Sequence, residues 1–447
     1  MFIVPKYVLS NNCVGLICGY TIINMHTIQH EVVKYKLSYG CDMLEIQIPN
    51  YPISASSCWL NAGSKNDPFG KEGLAHFFEH LLCNRTKKYP QRQKRLEEVE
   101  KRGFYYNATT TKELQRYFYI HTSDKSKDAF NFLCDGVFDS FFTSDDLNRE
   151  KNIILNEERN NFLNPSQYIW RLADRGVWSS SILEKDLYGN QNTIMSIQKS
   201  DILNFYQSLF IPSNMFFLII NPQKHDTSVI TERLHGFKNN KKGEASPFRY
   251  HIQPFVFEKR DTDLTYLALT FVTTNAMNLN DAIVLDFIRD YLASGWLSRL
   301  IRRLRVENTF AYWVNSETSY YKESGSLRFY MSINPSDFNS VINIFEEEIY
   351  FLVTNFIKKI DLQTYIFKYK SDLLRRSLEI DWLLWWYGWY GSVTHSTPLS
   401  IVDYINQLDK ITPQLIQNIA RKYLSKDNFS LAAIGREEPI YKMAMFQ

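Results

Sequence analysis

An α+β protein built in two halves is predicted by three observations. At 447 residues the chain is longer than one hydrophobic core organises, so two or three domains are required. Strand-type and helix-type segments occur in both halves, each consistent with a sheet covered mainly on one side by helices. Between them lies Gln223–Pro247, a polar stretch low in apolar residues and containing His235-Gly236-Phe237-Lys238-Asn239-Asn240-Lys241-Lys242-Gly243, which has the composition of a linker.

In order along the chain, Val32–Ile48 is the first strand, and Ile53–Leu60 the second. The turn-rich Gly63–Gly70 then leads into a helix from about Gly73. Helical periodicity follows near 90–102, 124–142 and 144–163, and Phe216–Ile220 is a buried-strand pattern. Past the linker come a strand at Thr265–Thr273, a helix at Asp281–Leu292 and strands near 313–319 and 326–333. Helices at 337–358 and 361–379 and a final strand at Phe429–Ile434 complete the second half.

The most informative stretch is His76-Phe77-Phe78-Glu79-His80. On a helix, histidines four apart stack on one face about 6 Å from each other, so both can reach one ion. Glu79 is placed to reach a water on that ion. Two neutral imidazoles, an open coordination position and a carboxylate base are what zinc-assisted hydrolysis requires. The bland alternative is a helix that happens to carry two histidines. A further ligand must come from elsewhere, and the amphipathic segment Glu150–Glu158 offers carboxylates: Glu150 and Glu157, seven apart, share a face, whereas Glu158 points about 100° away toward solvent.

With these residues in view, the chain resembles the pitrilysin and mitochondrial-processing-peptidase family of inverzincin (H-x-x-E-H) zinc metallopeptidases, in its half-size form. The entry Gly73-Leu74-Ala75 before His76 matches that family's G-x-A-H. The resemblance implies one Zn2+ per chain held by His76, His80 and Glu157, with Glu150 a supporting carboxylate and Glu79 the catalytic base. Asn107-Ala108-Thr109-Thr110-Thr111-Lys112-Glu113 with Tyr117 is similar to the family's N-A-x-T-x-x-E-x-x-x-Y edge strand. Asn107 and Ala108 would there align a substrate peptide added as a further strand. Without the resemblance the same residues suit a polar turn. Downstream, Leu304-Arg305 and Tyr312 match the family's L-R…Y pair, which implies that Arg305 and Tyr312 contact the scissile carbonyl and substrate backbone. A basic helix face is the alternative, and it is the reading for Arg299, Arg302 and Arg303.

The resemblance covers residues 33 to 447 and implies a processing-peptidase-like fold: two homologous domains, each a mostly antiparallel sheet with helices packed mainly on one face. It divides the chain into an N-terminal extension (1–32), a zinc-binding catalytic domain (33–222), a linker (223–250) and a second domain carrying the Arg/Tyr pair (251–447). The implied activity is that of a metalloendopeptidase hydrolysing short or unfolded peptides in a closed chamber. Half-size chains pair to enclose it, as a homodimer or as a heterodimer with a related subunit. Leader- or precursor-peptide processing is one such task, and a non-catalytic scaffold or peptide-binding subunit is the alternative. Departures flank the site: Leu81-Leu82-Cys83-Asn84-Arg85-Thr86 replaces an M-x-F-x-G-T-like tail, Ala293-Ser294-Gly295 shortens a glycine-rich approach, and Gln115 stands where threonine is expected.

A net charge of +3 gives no reason to expect nucleic acid. Cys13, Cys18, Cys41, Cys58, Cys83 and Cys134 contain no C-x-x-C pair and are too sparse for a disulfide framework, so reduced thiols and a cytoplasmic location are expected. Val14–Ile23 is too short to span a membrane. The run Trp382-Leu383-Leu384-Trp385-Trp386-Tyr387-Gly388-Trp389 reads as an aromatic-rich helix buried between domains, or as the lining of a hydrophobic cavity. The remaining histidines (His26, His30, His121, His225, His235, His251, His395) lack partner spacing and read as structural or surface residues.

Overall fold

The computed structural model describes residues 30–226, 228–234 and 248–441. Most of the expected extension and linker lie outside these residues, as do Cys13, Cys18, His26 and His235. Among the described residues the chain forms two mixed sheets. The first holds β1 (Glu31–Lys36), β2 (Asp42–Gln47), β3 (Ile53–Leu60), β4 (Tyr105–Thr110), β5 (Gln115–Thr122) and β6 (Met215–Asn221) in the order β1-β2-β6-β3-β5-β4. The second holds β7 (Phe255–Lys259), β8 (Thr265–Thr273), β9 (Ala311–Tyr320), β10 (Gly325–Ile333) and β11 (Phe429–Gly435) in the order β7-β11-β8-β10-β9. Only β2–β6 and β7–β11 run parallel; every other neighbouring pair is antiparallel.

Val32–Ile48, expected as one strand, is two. The chain reverses through Ser38–Gly40, where Tyr39 and Gly40 adopt positive φ (60° and 81°), and β1 folds back on β2. Tyr-Gly is a turn signal that the apolar residues on either side obscure. The helix expected at 144–163 is found at Ser144–Leu163, bounded by a capping box in which Thr143 and Asp146 satisfy each other's backbone N–H. Ser228–Leu234 is helical within the stretch read as linker.

The central strands are covered on both sides, which is why they lack a polar face. On β6, Phe217 and Ile219 enter the core beneath helix Leu74–Leu81, whereas Phe216, Leu218 and Ile220 enter the core of the second half. The first set packs under helices of its own half. The second set is covered by helix Ile380–Thr394, which comes from the second half and crosses β3 and β6. The exchange is reciprocal. Helix Pro165–Trp178, from the first half, lies across β8 and β11, where Tyr168, Ile169 and Leu172 pack with Ala268, Tyr330 and Ala432. The opposite face of that sheet carries the larger helical layer, including Leu279–Ala293, Phe338–Thr354 and Pro413–Tyr423. Each sheet therefore has a main helical layer from its own half and a single helix lent by the other.

The tryptophan-rich helix serves both readings of its sequence. Leu384, Tyr387, Gly388 and Gly391 are buried, with Gly388 and Gly391 against Trp59 and Phe216 of the first sheet. Trp382, Trp386 and Trp389 remain half-buried along a cavity between the halves. No described helix is long and apolar enough to cross a membrane.

Candidate metal centre

The H-x-x-E-H motif occupies a short helix, Leu74–Leu81, whose entry is set by backbone geometry. Gly73 has φ +94°, and a Cβ there would lie 2.7 Å from the Tyr188 carbonyl oxygen, so only glycine fits. The buried Asp67 carboxylate accepts the Gly73 and Ala75 N–H groups at 2.8 Å each, satisfying donors that a helix start leaves open. At the other side Gln115 donates to the Ala75 carbonyl and accepts from the Tyr117 hydroxyl. The residue that departs from the family pattern thus ties β5 to the motif helix. Phe77, Phe78 and Leu81 anchor the helix in the core.

This anchoring turns His76 and His80 toward helix Ser144–Leu163. Their Nε2 atoms are 3.3 Å apart, and Glu157 Oε2 lies 3.5 Å from His80 Nε2 and 3.7 Å from His76 Nε2. Among the described residues, these three alone form a group whose ligand atoms converge this closely, within 4.8 Å. Metal–ligand bonds of about 2.0–2.1 Å at tetrahedral angles place donor atoms roughly 3.3–3.5 Å apart, so the set has the spacing and chemistry of a zinc site with one corner left for water. Glu150, 1% exposed, bonds His80 Nδ1 at 3.2 Å and is itself held by Arg92 and Arg149. Burial would raise its pKa, but the His80 bond and the Arg92 charge outweigh it and keep it below the usual glutamate value. Such a carboxylate fixes the tautomer and orientation of a ligating imidazole. Glu158, expected to be solvated, instead pairs with Arg171 at 3.5 Å.

Glu79 sits on the same helix with its Oε2 accepting a 2.6 Å hydrogen bond from Thr110, the last residue of β4. Burial raises its pKa, reinforced by Glu157 and opposed by Thr110 and His80. β4 is the outer strand of its sheet. Asn107 is exposed there, with its side chain accepting the Ala108 N–H at 2.8 Å. Tyr188, which sequence reasoning did not single out, packs edge-on against the His76 ring at 5.1 Å. Arg305 and Tyr312 are not drawn into this cluster. Arg305 is exposed over Trp296, Tyr312 is 79% exposed at the start of the outer strand β9, and neither hydrogen-bonds the motif residues. Arg299 and Arg303 are structural, both paired with the buried Glu348.

The surroundings push the two imidazoles in opposite directions. Burial, and then the neighbouring His80 charge, lower His76 to about 4, against the pull of Glu157. Burial also works to lower His80, but hydrogen bonds to Glu150 and Glu157 prevail and raise it to about 9. A proton favoured on His80 in the metal-free centre would have to leave before a metal binds, because only neutral imidazole ligates. Zinc titrations at pH 7 in buffers of different ionisation enthalpy are expected to report release of about one proton, with apparent affinity rising about tenfold per pH unit toward pH 9. Buffer-independent heats would contradict this assignment.

Comparison with known proteins agrees with the geometry. Residues 43–179 match the insulinase family of M16 peptidases, and residues 196–366 match the M16 peptidase inactive domain. A protein of Rickettsia felis described as an uncharacterized zinc protease is 28% identical over 300 residues, covering 66% of this chain and 72% of that one. A zinc protease of Bacillus subtilis is 22% identical over 409 residues, 90% of this chain and 98% of that one. The solved structure of a protease from Helicobacter pylori superposes with a TM-score of 0.79 at 17% identity, covering 92% of this chain and 100% of that one. The fold and the paired domain matches define a two-domain peptidase architecture. This chain belongs to the M16 (insulinase/pitrilysin) peptidase family, as a half-size member with an N-terminal M16 domain and a C-terminal M16 inactive-type domain.

Proposed function

We infer that the protein is a zinc-dependent endopeptidase acting on short or unfolded peptides, with His76, His80 and Glu157 as metal ligands and Glu79 as the general base. The observation that carries this reading is the convergence of Glu157 on both imidazoles at 3.5 and 3.7 Å, with Glu79 one residue from His80. Bound zinc supplies the Lewis acidity that polarises a peptide carbonyl and acidifies water. Glu79 accepts the proton of the attacking water and delivers it to the leaving amine, and its raised pKa suits that exchange. Asn107 and Ala108 align the substrate backbone along the open side of β4. The Thr110–Glu79 hydrogen bond ties that strand to the base, so the scissile bond is positioned against the group that cuts it.

The exposure of Arg305 and Tyr312 on the second half favours their acting on a partner's centre, with two chains enclosing the chamber. Both sets of residues are present in one sequence, so a homodimer suffices. Precursor-peptide processing fits a chamber that admits only flexible chains. The decisive experiment is mass spectrometry of a mixed peptide library incubated with the protein, with a chelator, and after zinc is restored. Internal cleavages that vanish with the chelator and return with about one zinc per chain are expected. Cleavage indifferent to chelation, or none with stoichiometric zinc, would refute the assignment. For the pairing, equal mixing of Glu79→Gln chains with Arg305→Leu/Tyr312→Phe chains is expected to restore about a quarter of wild-type activity, since half the symmetric dimers become mixed and each gains one intact site. No recovery from two inactive parents would place the pair's role within its own chain.

A further inference from the structure

A second site lies in the cavity between the halves. Its volume is about 440 Å3, and none of His76, Glu79, His80 or Glu157 lines it. That size is in the range of small-molecule sites. Its walls come from the Thr111–Glu113 loop, helix Leu279–Ala293, strand β9 and the tryptophan-rich helix, so it exists only because that helix crosses to the first sheet.

Most charges around the cavity are satisfied within the protein; the exposed Arg376 lines it without a side-chain hydrogen bond or ion pair among the described residues, and Glu317 accepts from the Ser319 hydroxyl. Lys112 pairs with Asp174 at 2.8 Å, Glu113 with Lys65, and Asp290 with Lys368 at 2.9 Å. Asp286 accepts hydrogen bonds from the hydroxyls of Thr318, Tyr320 and Tyr404. Arg289 differs. It lines the cavity, forms no side-chain hydrogen bond or ion pair at bonding distance among the described residues, and its Nε is buried without an acceptor. Asp286 and Asp290 balance its charge from nearby, but their oxygens are committed to other donors. A buried guanidinium N–H without an acceptor is costly, and the group's planar fork matches a carboxylate. Trp382, Trp386 and Trp389 also line the cavity and are half-buried, with Trp386 stacked on Trp382 at 5.2 Å and edge-on to Tyr404 at 4.9 Å, so their indoles add an apolar, aromatic wall.

We propose that this cavity binds a carboxylate borne on an aromatic or branched apolar body, with the carboxylate on Arg289 and the body against the tryptophan wall. The same chemistry is presented by a free aromatic acid and by the C-terminal residue of a peptide. The site is independent of the metal centre.

Isothermal titration of the full-length, chelator-stripped and dialysed protein tests this without a metal competing for carboxylate. The probes are N-acetyl-phenylalanine, its carboxamide and N-acetyl-Leu-Leu-Phe. One-to-one binding of the acid, about tenfold tighter than the amide, is expected. Arg289→Gln should bring the acid down to the amide's level and leave the amide unchanged. Trp386→Leu should weaken acid and amide alike. A tripeptide that binds several-fold tighter than the single residue identifies a peptide terminus as the source; equal affinity identifies a free acid. Equal binding of acid and amide by the wild type, no saturable binding, or full acid preference in a folded Arg289→Gln protein would overturn the proposal. The wild-type contrast decides it even if Arg289→Gln fails to fold.

Discussion

Glu79→Gln is expected to abolish peptide cleavage, by about 10²–10⁴-fold in kcat, while zinc content and thermal stability stay near those of the wild type. Glutamine keeps the shape and can still accept the Thr110 hydrogen bond through its amide oxygen, so the local packing that burial imposes is preserved. What disappears is the ability to take a proton. The residues proposed to hold the metal are other side chains, so metal retention separates this effect from loss of the centre. Peptide affinity should be unchanged or slightly higher, which makes the variant a trap for bound substrate. A protein that loses zinc together with activity would instead make Glu79 part of the metal's support. Unchanged turnover would remove catalysis from this motif altogether.

The histidine pair was legible in the sequence because its spacing is local, whereas the choice of Glu157 over Glu150 as a further ligand came from the family resemblance. The i, i+4 histidines need only a helix, and the helix carrying Glu157 shows in the sequence as a run of amphipathic residues. Other contacts were illegible for a physical reason. Tyr188 against His76 and Thr110 against Glu79 are tertiary meetings of distant segments, and no periodicity encodes them. The Tyr39-Gly40 reversal was hidden by apolar residues on both sides, which read as one long strand.

The exchanged helices mark the limit most clearly. The sequence of Pro165–Trp178 shows an apolar face but not that the face belongs to β8 and β11 of the other half. The tryptophans at 382, 385, 386 and 389 were equally ambiguous, because a helix with apolar residues on every side has no single buried stripe. Two glycines resolve it. Gly388 and Gly391 are three apart on one helical face, and both meet large rings. Small residues there let the helix backbone approach the sheet, while the indoles on its other sides face the cavity.

That arrangement predicts the largest stability effect outside the metal centre. A Cβ at Gly388 would lie 2.1 Å from the Trp59 ring, a separation no real contact tolerates. Trp59 cannot yield: it is fully buried and donates to Ser57 through its indole N–H at 3.0 Å. Gly388→Val therefore forces the helix away from β3 and β6. The cost is expected at or above the upper end of overpacking, about 3 kcal/mol, and valine's helix propensity recovers only a few tenths of that. In a unit of this size each kcal/mol lowers Tm by roughly 2–4 °C, so calorimetry should show a drop of about 6–12 °C. Gly103→Ala is the control. Its φ of +69° strains alanine, but nothing lies within 4 Å of the new Cβ, so the loss is limited to about 1–2 kcal/mol. The same displacement should open the cavity, quenching Trp emission more readily by added acrylamide. Melting of Gly388→Val within a degree of the wild type would mean that the helix does not rest on Trp59, and that the two halves are not joined through it.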